Sequence, residues 1–531
     1  MPIATFLCLA AQFNATSELL TYGDVLGAPC EAIVTGVTPN TATFVMFSLT
    51  SAPNDYLVLQ TGDANDQLQI SLDLAQQGFY LSGVSDAAGE FRASINLPAN
   101  LTYLDRTVYW QAFSRPGGGG ASEYDDFSTL RVMNLNQANR WQASGPNSVP
   151  FATANLAWAV DTTGAENGAA LRILICGGGP ALVTDVNNPY TTSDRAWWFD
   201  TDRQRHTAIA ATLNVSRSFH NVVRLQDGRF LICGGVSGPF GTAGNYFTKV
   251  QNTAEIYDPL ADTFTPVANL QKFRAGANAL LLPDGRVLVA GGTEGNGAHE
   301  LHDVVDILGT AHRTTEIFNP VTGAWSSGPQ MPEYKAGAMD IVLADGRWLL
   351  AGGITHTLVF GIPIPDFSDN VSLYDPAANS WSDKGSVLQA KRALGGIALL
   401  PNGQVYMAGG AGGDIFNVGP IAATEVYNPS TNVSVTKPAL TEPAAFNRCL
   451  RLPDGRVLIV GGAKGDLLDP VPIATCWTFA TIGGGTLTVV APMPETRAGG
   501  VVELLEDGTV YAGGGESNSG SATDISRSYS P

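Results

Sequence analysis

Five basic residues recur in phase along this 531-residue chain. Arg217, Arg274, Lys335, Arg392 and Arg497 each stand ten positions ahead of an Asp or Asn that is followed by Gly. Phe151 and Ala444 interrupt the series. Cationic groups gathered in a ring suit a carboxylate or sulfate, which guanidinium binds through paired hydrogen bonds. The same recurrence would follow if each cation tied down carbonyls of neighbouring loops. A second group lies in the longest insertion, residues 297–307. Were it helical, His299, His302, Asp303 and Asp306 would share a face and could hold a divalent metal, with His312 and His356 in nearby loops. The alternative is a surface helix with a solvated acidic face, since the His-Glu-x-x-His pattern of metalloproteases is absent. Third, the stretches 358–365, 415–418 and 467–472 are apolar and include Phe360 and Phe416. Such tips either pack on the rest of the chain or offer a patch to a protein partner or a second copy.

A repeat positions these residues. Gly177-Gly178, Gly234-Gly235, Gly291-Gly292, Gly352-Gly353, Gly409-Gly410, Gly461-Gly462 and Gly514-Gly515 recur at spacings of 52 to 61 residues. Before most pairs runs an apolar strand, a turn such as Asp227-Gly228 or Asn402-Gly403, and a second strand apolar on both faces. Asp-Gly and Asn-Gly accept positive φ, which predicts two-residue type I′ hairpins. An aromatic pair seven residues apart follows: Tyr257 with Phe264, Phe318 with Trp325, Tyr374 with Trp381, and Phe199 with His206 in a Trp slot. A repeat of this length made of strands and turns predicts a propeller. The last copy stops at Tyr529-Ser530-Pro531, while Ala138-Asn139-Arg140-Trp141 reads like Thr322-Gly323-Ala324-Trp325. Residues ahead of the first copy should therefore supply the outer strand of the last, closing the ring and removing its exposed edges.

Gly-Gly after an apolar strand, then Tyr and Trp in the next two strands, resembles the kelch repeat over residues 134–531. The resemblance implies a seven-bladed kelch β-propeller, with Ala170, Ser434 and His206 as departures from the pattern. It also implies that the long loops after Gly-Gly form the variable face. Arginines at similar places contact acidic peptides in several kelch propellers. Residues 1–133 lack the repeat and alternate instead: Leu68, Ile70, Leu72 and Leu74 share one face, as do Phe91, Ala93, Ile95 and Leu97. That pattern predicts an antiparallel, immunoglobulin-like β-sandwich. The expected fold is thus all-β, a sandwich over 1–133 and a propeller over 134–531.

Formal charge is −19, with no Lys or Arg before Arg92. Nucleic acid and anionic membrane surfaces are therefore poor partners. Charged residues make up only 15%, a composition expected of an extracellular or cell-envelope protein. No apolar run approaches the roughly 20 residues of a membrane span; Pro2–Ala11 is either a signal core or a first strand. Cys8 with Cys30 is the one plausible disulfide, whereas Cys176 and Cys233 read as buried thiols. The expected function is recognition or scaffolding without a cofactor, binding a protein or glycan through the loop face. The alternative is a carbohydrate-active enzyme. It would be a sugar isomerase or lyase using the basic ring with Glu294 or Glu300, or a copper-radical oxidase of galactose oxidase type. Against the oxidase, the chain has no Tyr-His dipeptide.

Overall fold

The computed structural model describes most of the chain from residue 17 onward. Residues 1–16, 60–66, 73–78, 116–127, 144–152, 162–171, 202–204 and 518–520 lie outside the description, with shorter stretches that include Asp303, Phe360 and Phe416. Every named element among the described residues is a β-strand, and no helix there is long and apolar enough to cross a membrane.

The first compact unit runs through Ala138, a little past the expected boundary, and takes in two short segments of the later chain; its strand Arg131–Asn134 pairs with Thr107–Arg115. Two antiparallel sheets share one core. The strands Glu18–Tyr22, Pro29–Thr35 and Phe91–Asn96 form one; Phe79–Val84, Ala42–Ser48, Thr107–Arg115 and Arg131–Asn134 form the other. Val34, Val45, Trp110 and Met133 fill the space between them. Phe91–Asn96 alternates inward and outward as its sequence does. Cys30 is a buried free thiol, and Cys8 lies outside the described residues.

The second unit contains seven four-stranded antiparallel sheets. The third is typical, with Asn278–Leu281, Val287–Ala290, Thr315–Asn319 and Ala324–Ser327 in chain order. Its second strand is wholly buried, as expected of a run apolar on both faces. In the seventh sheet the outer strand is Arg140–Ala143, running beside Ser526–Ser530 with Trp141 opposite Tyr529. The ring closes through that pair. Tyr257 stands opposite Phe264, Phe318 opposite Trp325 and Tyr374 opposite Trp381. His206 occupies the Trp slot, its ring centroid 4.9 Å from Phe199 and its Nε2 2.8 Å from the Tyr511 hydroxyl.

The hairpins differ from the expected type I′. The Leu282 N–H donates to Arg286 O at 2.7 Å and the Gly285 N–H to Leu282 O at 2.9 Å, so the loop has three residues. Only Gly285 takes positive φ, at 86°. Pro283 presets the first turn position, and Asp284 Oδ1 accepts the Arg286 N–H at 3.1 Å. Together they favour a type I turn closed by a left-handed Gly.

One feature had no sequence signal. Seven residues, one per blade, form a closed circuit of backbone hydrogen bonds: Asn155 to Gly499, Gly499 to Phe446, Phe446 to Leu394, Leu394 to Gly337, Gly337 to Gly276, Gly276 to Phe219, and Phe219 to Asn155. All seven have positive φ, between 49° and 65°, including Phe219, Leu394 and Phe446. A bulky residue there costs about 1–2 kcal/mol. The circuit holds it by engaging both its N–H and its C=O.

Candidate functional site

The five basic residues stand just ahead of the innermost strands, as their spacing implies, but they do not face solvent. Arg217, Arg274, Lys335, Arg392 and Arg497 are all at most 2% exposed. Each donates to the carbonyl of the first Gly of its own blade's pair. Arg217 Nη1 reaches Gly234 O at 2.8 Å, Arg274 Nη1 reaches Gly291 O at 2.6 Å, and Lys335 Nζ reaches Gly352 O at 2.9 Å. Arg392 Nη1 reaches Gly409 O at 2.9 Å, and Arg497 bonds Gly514 O. Three also pair with a buried Glu from the third strand: Arg217 with Glu255 at 2.8 Å, Arg274 with Glu316 at 3.1 Å, and Arg392 with Glu425 at 2.7 Å. Lys335 takes Glu333 at 2.8 Å, because Ser372 stands at the third-strand place. Burial pulls Arg274, Lys335 and Arg392 below their ordinary values against the lift of these carboxylates, and Arg497 falls to about 10. These residues therefore form no ligand-binding ring: all five are buried, and their bonded donors go to carbonyls, hydroxyls and carboxylates inside the wall.

The gaps in the series fit the same account. In the first blade the equivalent residue is Thr153, not Phe151; its hydroxyl donates to Gly177 O at 2.9 Å, and its carbonyl accepts from Gly515 N–H at 2.7 Å. The sixth blade has Ala444. In these two blades Trp197 and Trp477 replace the buried Glu. The second Gly of each pair ties the blades together, as when Gly353 N–H donates to Arg392 O at 2.8 Å. A Cβ on Gly352, whose φ is 64°, would lie 2.1 Å from that same oxygen. Only Gly fits.

The insertion expected to be helical is a tight turn and a short strand. His299 sits at φ 60° and Glu300–Leu301 pairs with Asn245–Val250. His299 stacks on Phe273 with centroids 3.8 Å apart, and its Nδ1 lies 3.2 Å from Glu294 O. His302 packs near Phe247, its Nδ1 2.9 Å from Asp306 Oδ2. The two rings rest on different phenylalanines, and Asp303 lies outside the described residues. Among the described residues, no three His, Cys, Asp or Glu side chains gather into a metal-holding group. His312 keeps its Nε2 3.1 Å from Phe273 O and 3.6 Å from Glu294 Oε2; burial lowers its pKa to about 4.

The loops after Gly-Gly are mostly accessory hairpins. They include Val236–Thr242 with Asn245–Val250, Ile354–Val359 with Ile362–Phe367, Ala411–Asp414 with Asn417–Pro420, and Ala463–Gly465 with Pro470–Pro472. Their inner residues pack together: Ile354, Phe367, Ala411 and Leu467 share one core. Phe360 and Phe416 lie outside the described residues. Phe240, Ile364 and Val471 on these hairpins are exposed, at 40%, 39% and 44%.

Two cavities line the propeller axis. Phe219, Gly276, Gly337, Leu394 and Phe446 border both, so the amide circuit is the partition between them. On the hairpin-loop side lies a small apolar space of about 70 Å³ among Leu182, Val236, Leu301, Ile354 and Leu467. On the other side lies a space of about 440 Å³ walled by the innermost strands. Trp158, Asn278, Asp340, Arg448 and Glu503 bring polar groups to it. Sequence reasoning missed all five. Asp340 accepts from Asn278 Nδ2 at 2.7 Å and from Trp348 Nε1 at 2.8 Å. Glu503 Oε2 accepts from Trp158 Nε1 at 3.2 Å. Burial raises the pKa of both carboxyls. The Arg448 guanidinium lies 4.7 Å over the Trp158 ring, and burial lowers its pKa against the pull of Asp340. Arg448 is exposed although protein surrounds it, because the surface it shows is the cavity wall.

No family model matches the chain. Kelch-like protein 23 of Pongo abelii is 25% identical over 217 residues, 41% of this chain and 32% of that protein. An F-box/kelch-repeat protein of Arabidopsis thaliana is 28% identical over 223 residues, 37% of this chain and 42% of that one. The chain spans about a third of the length of the kelch-like relatives it matches. A solved structure described as a fungal alcohol oxidase of the AA5 family, in complex with copper, superposes with a TM-score of 0.51 at 17% identity. The match covers 74% of this chain and 76% of that one. The fold is a kelch-type β-propeller. At such identity the likeness speaks for the kelch fold alone.

Proposed function

We propose that this kelch-type propeller is a recognition scaffold that engages a protein partner through its accessory hairpins. The carrying observation is the set of exposed apolar residues Phe240, Ile364 and Val471, each on a different accessory hairpin. These hairpins are paired internally, so the surface is largely preformed and little ordering entropy is spent on binding. Phe240 is further set by stacking on Phe247, with centroids 5.7 Å apart and Lys249 Nζ 5.2 Å from its ring centroid. An aromatic flanked by a cation is a common interface anchor. Two of the matched relatives name an F-box or a BTB domain beside their kelch repeats, which supports a binding role. An extracellular or envelope setting accords with the low charge content.

Cross-linking mass spectrometry on the native source would identify the partner, whose affinity is then measured in purified form. The triple variant Phe240→Asp, Ile364→Asp, Val471→Asp is expected to weaken binding at least ten-fold while unfolding at the wild-type temperature. Equal affinity in the folded triple variant would place recognition elsewhere.

A further inference from the structure

We propose that the larger axial cavity is a binding site for a small hydroxylated monocarboxylate, with Arg448 as its anion-binding group. The site is separate from the hairpin surface and rests on different residues.

Arg217, Arg274, Arg392 and Arg497 are buried, and each gives its Nη1 to a carbonyl of the wall. Arg448 belongs to an innermost strand, Arg448–Arg451, yet among the described residues its side chain makes no ion pair or hydrogen bond; its contact is the face of Trp158. A guanidinium carries five N–H donors in a planar fork and stays charged. Stacking on an aromatic face fixes the plane of that fork and leaves its edge free for a carboxylate.

The neighbouring carboxyls form no ion pair with it and are bonded to neutral donors instead. Asp340 is taken by Asn278 and the Trp348 indole, and Glu503 by the Trp158 indole. An acid directly bridged to Arg448 would have neutralised the site; here the fork remains available. The same two carboxyls limit the ligand's charge, since a second negative group would meet them in a space of reduced dielectric. Each carboxylate oxygen has further accepting capacity, which suits ligand hydroxyls. Leu156, Ile397, Leu450 and Val502 complete the wall with apolar surface. A volume of about 440 Å³ is in the range of small-ligand sites, roughly 300–1,000 Å³. These features together specify one carboxylate, several hydroxyls and a compact carbon frame.

The test is isothermal titration of the full chain with glycolate, L-lactate, gluconate and glucuronate, using glycerol and glucose as uncharged counterparts. One equivalent of at least one of the four carboxylates is expected to bind, more than ten-fold tighter than its uncharged counterpart. Arg448→Gln should weaken that binding at least ten-fold. Asp340→Asn keeps the shape and removes a negative charge, so it should bind the carboxylate equally or more tightly. The proposal is overturned if none of the four carboxylates binds the wild type, if the uncharged counterparts bind as well, or if folded Arg448→Gln binds unchanged. Should Arg448→Gln not fold, Asp340→Asn decides: retained or tighter binding supports the site, and a ten-fold loss overturns it.

Discussion

The collar of cations behind the Gly-Gly turns and the cavity beyond the amide circuit both draw on arginines at or just ahead of the innermost strands. In the collar, Arg392 finds Glu425 at 2.7 Å and two backbone carbonyls near 3 Å, and nothing of it reaches solvent. In the cavity, Arg448 finds an indole face and open space. One side chain is architecture because it is buried and its Nη1 and Nη2 donors are committed. The other is available because the nearby acids are held by neutral donors. Residue type and recurrence therefore do not separate a binding arginine from a structural one; the surrounding acceptors do.

That contrast can be broken most directly by truncation. Arg392→Ala strands Glu425 without its counter-charge and should cost about 3–5 kcal/mol, whereas Arg448→Ala should stay within about 1 kcal/mol. Chemical denaturation of both variants measures this, and similar losses would erase the distinction. The glycine side of the collar gives the next effect. Gly352→Ala places a Cβ 2.1 Å from a carbonyl at φ 64°, while Gly403→Ala, at φ 78°, meets nothing within 4 Å. The first should cost about 3 kcal/mol or more and the second about 1–2 kcal/mol; thermal melts of the pair would show whether close approach or φ dominates.

The cavity side has a pH signature. His220 borders it, and burial together with the Arg217 charge holds its pKa well below 6.5. The folded state therefore declines a proton that the unfolded chain accepts, so this term costs stability as pH falls below about 6.5. Between pH 7 and 5 the wild type should lose up to about 2 kcal/mol more than His220→Gln, read from denaturation midpoints at each pH. Parallel losses would mean that His220 is charged in the fold. The smallest effect belongs to exposed turn pairs. Asp284→Asn removes a partner from Arg286, 2.6 Å away and partly exposed, and should cost at most about 1 kcal/mol, with the ionic share fading in salt.

Much of the fold was legible. Gly pairs, Asp-Gly turns and aromatic pairs are local requirements of a blade, and each leaves a residue of restricted type at a fixed offset. Closure by Trp141 was legible because it completes an interrupted repeat. The role of the basic series was half legible: Glu255, Glu316 and Glu425 sit two residues ahead of Tyr257, Phe318 and Tyr427, and this second series, absent where Trp197 or Trp477 stands, would have named the partners. The His299 insertion misled because Glu300–Leu301 is recruited by the distant strand Asn245–Val250, and such pairing overrides local helical spacing.

The sequence by itself determined an all-β chain, a seven-fold repeat and its closure, since backbone geometry at turns and Gly pairs restricts residues one blade at a time. Only the tertiary structure decided which charges are consumed and which remain. Trp158, Asp340, Arg448 and Glu503 come from four blades and are four different residue types, with no recurrence to mark them. Their environment exists only once the ring has closed, because burial and the distance to an acceptor are properties of the assembled wall.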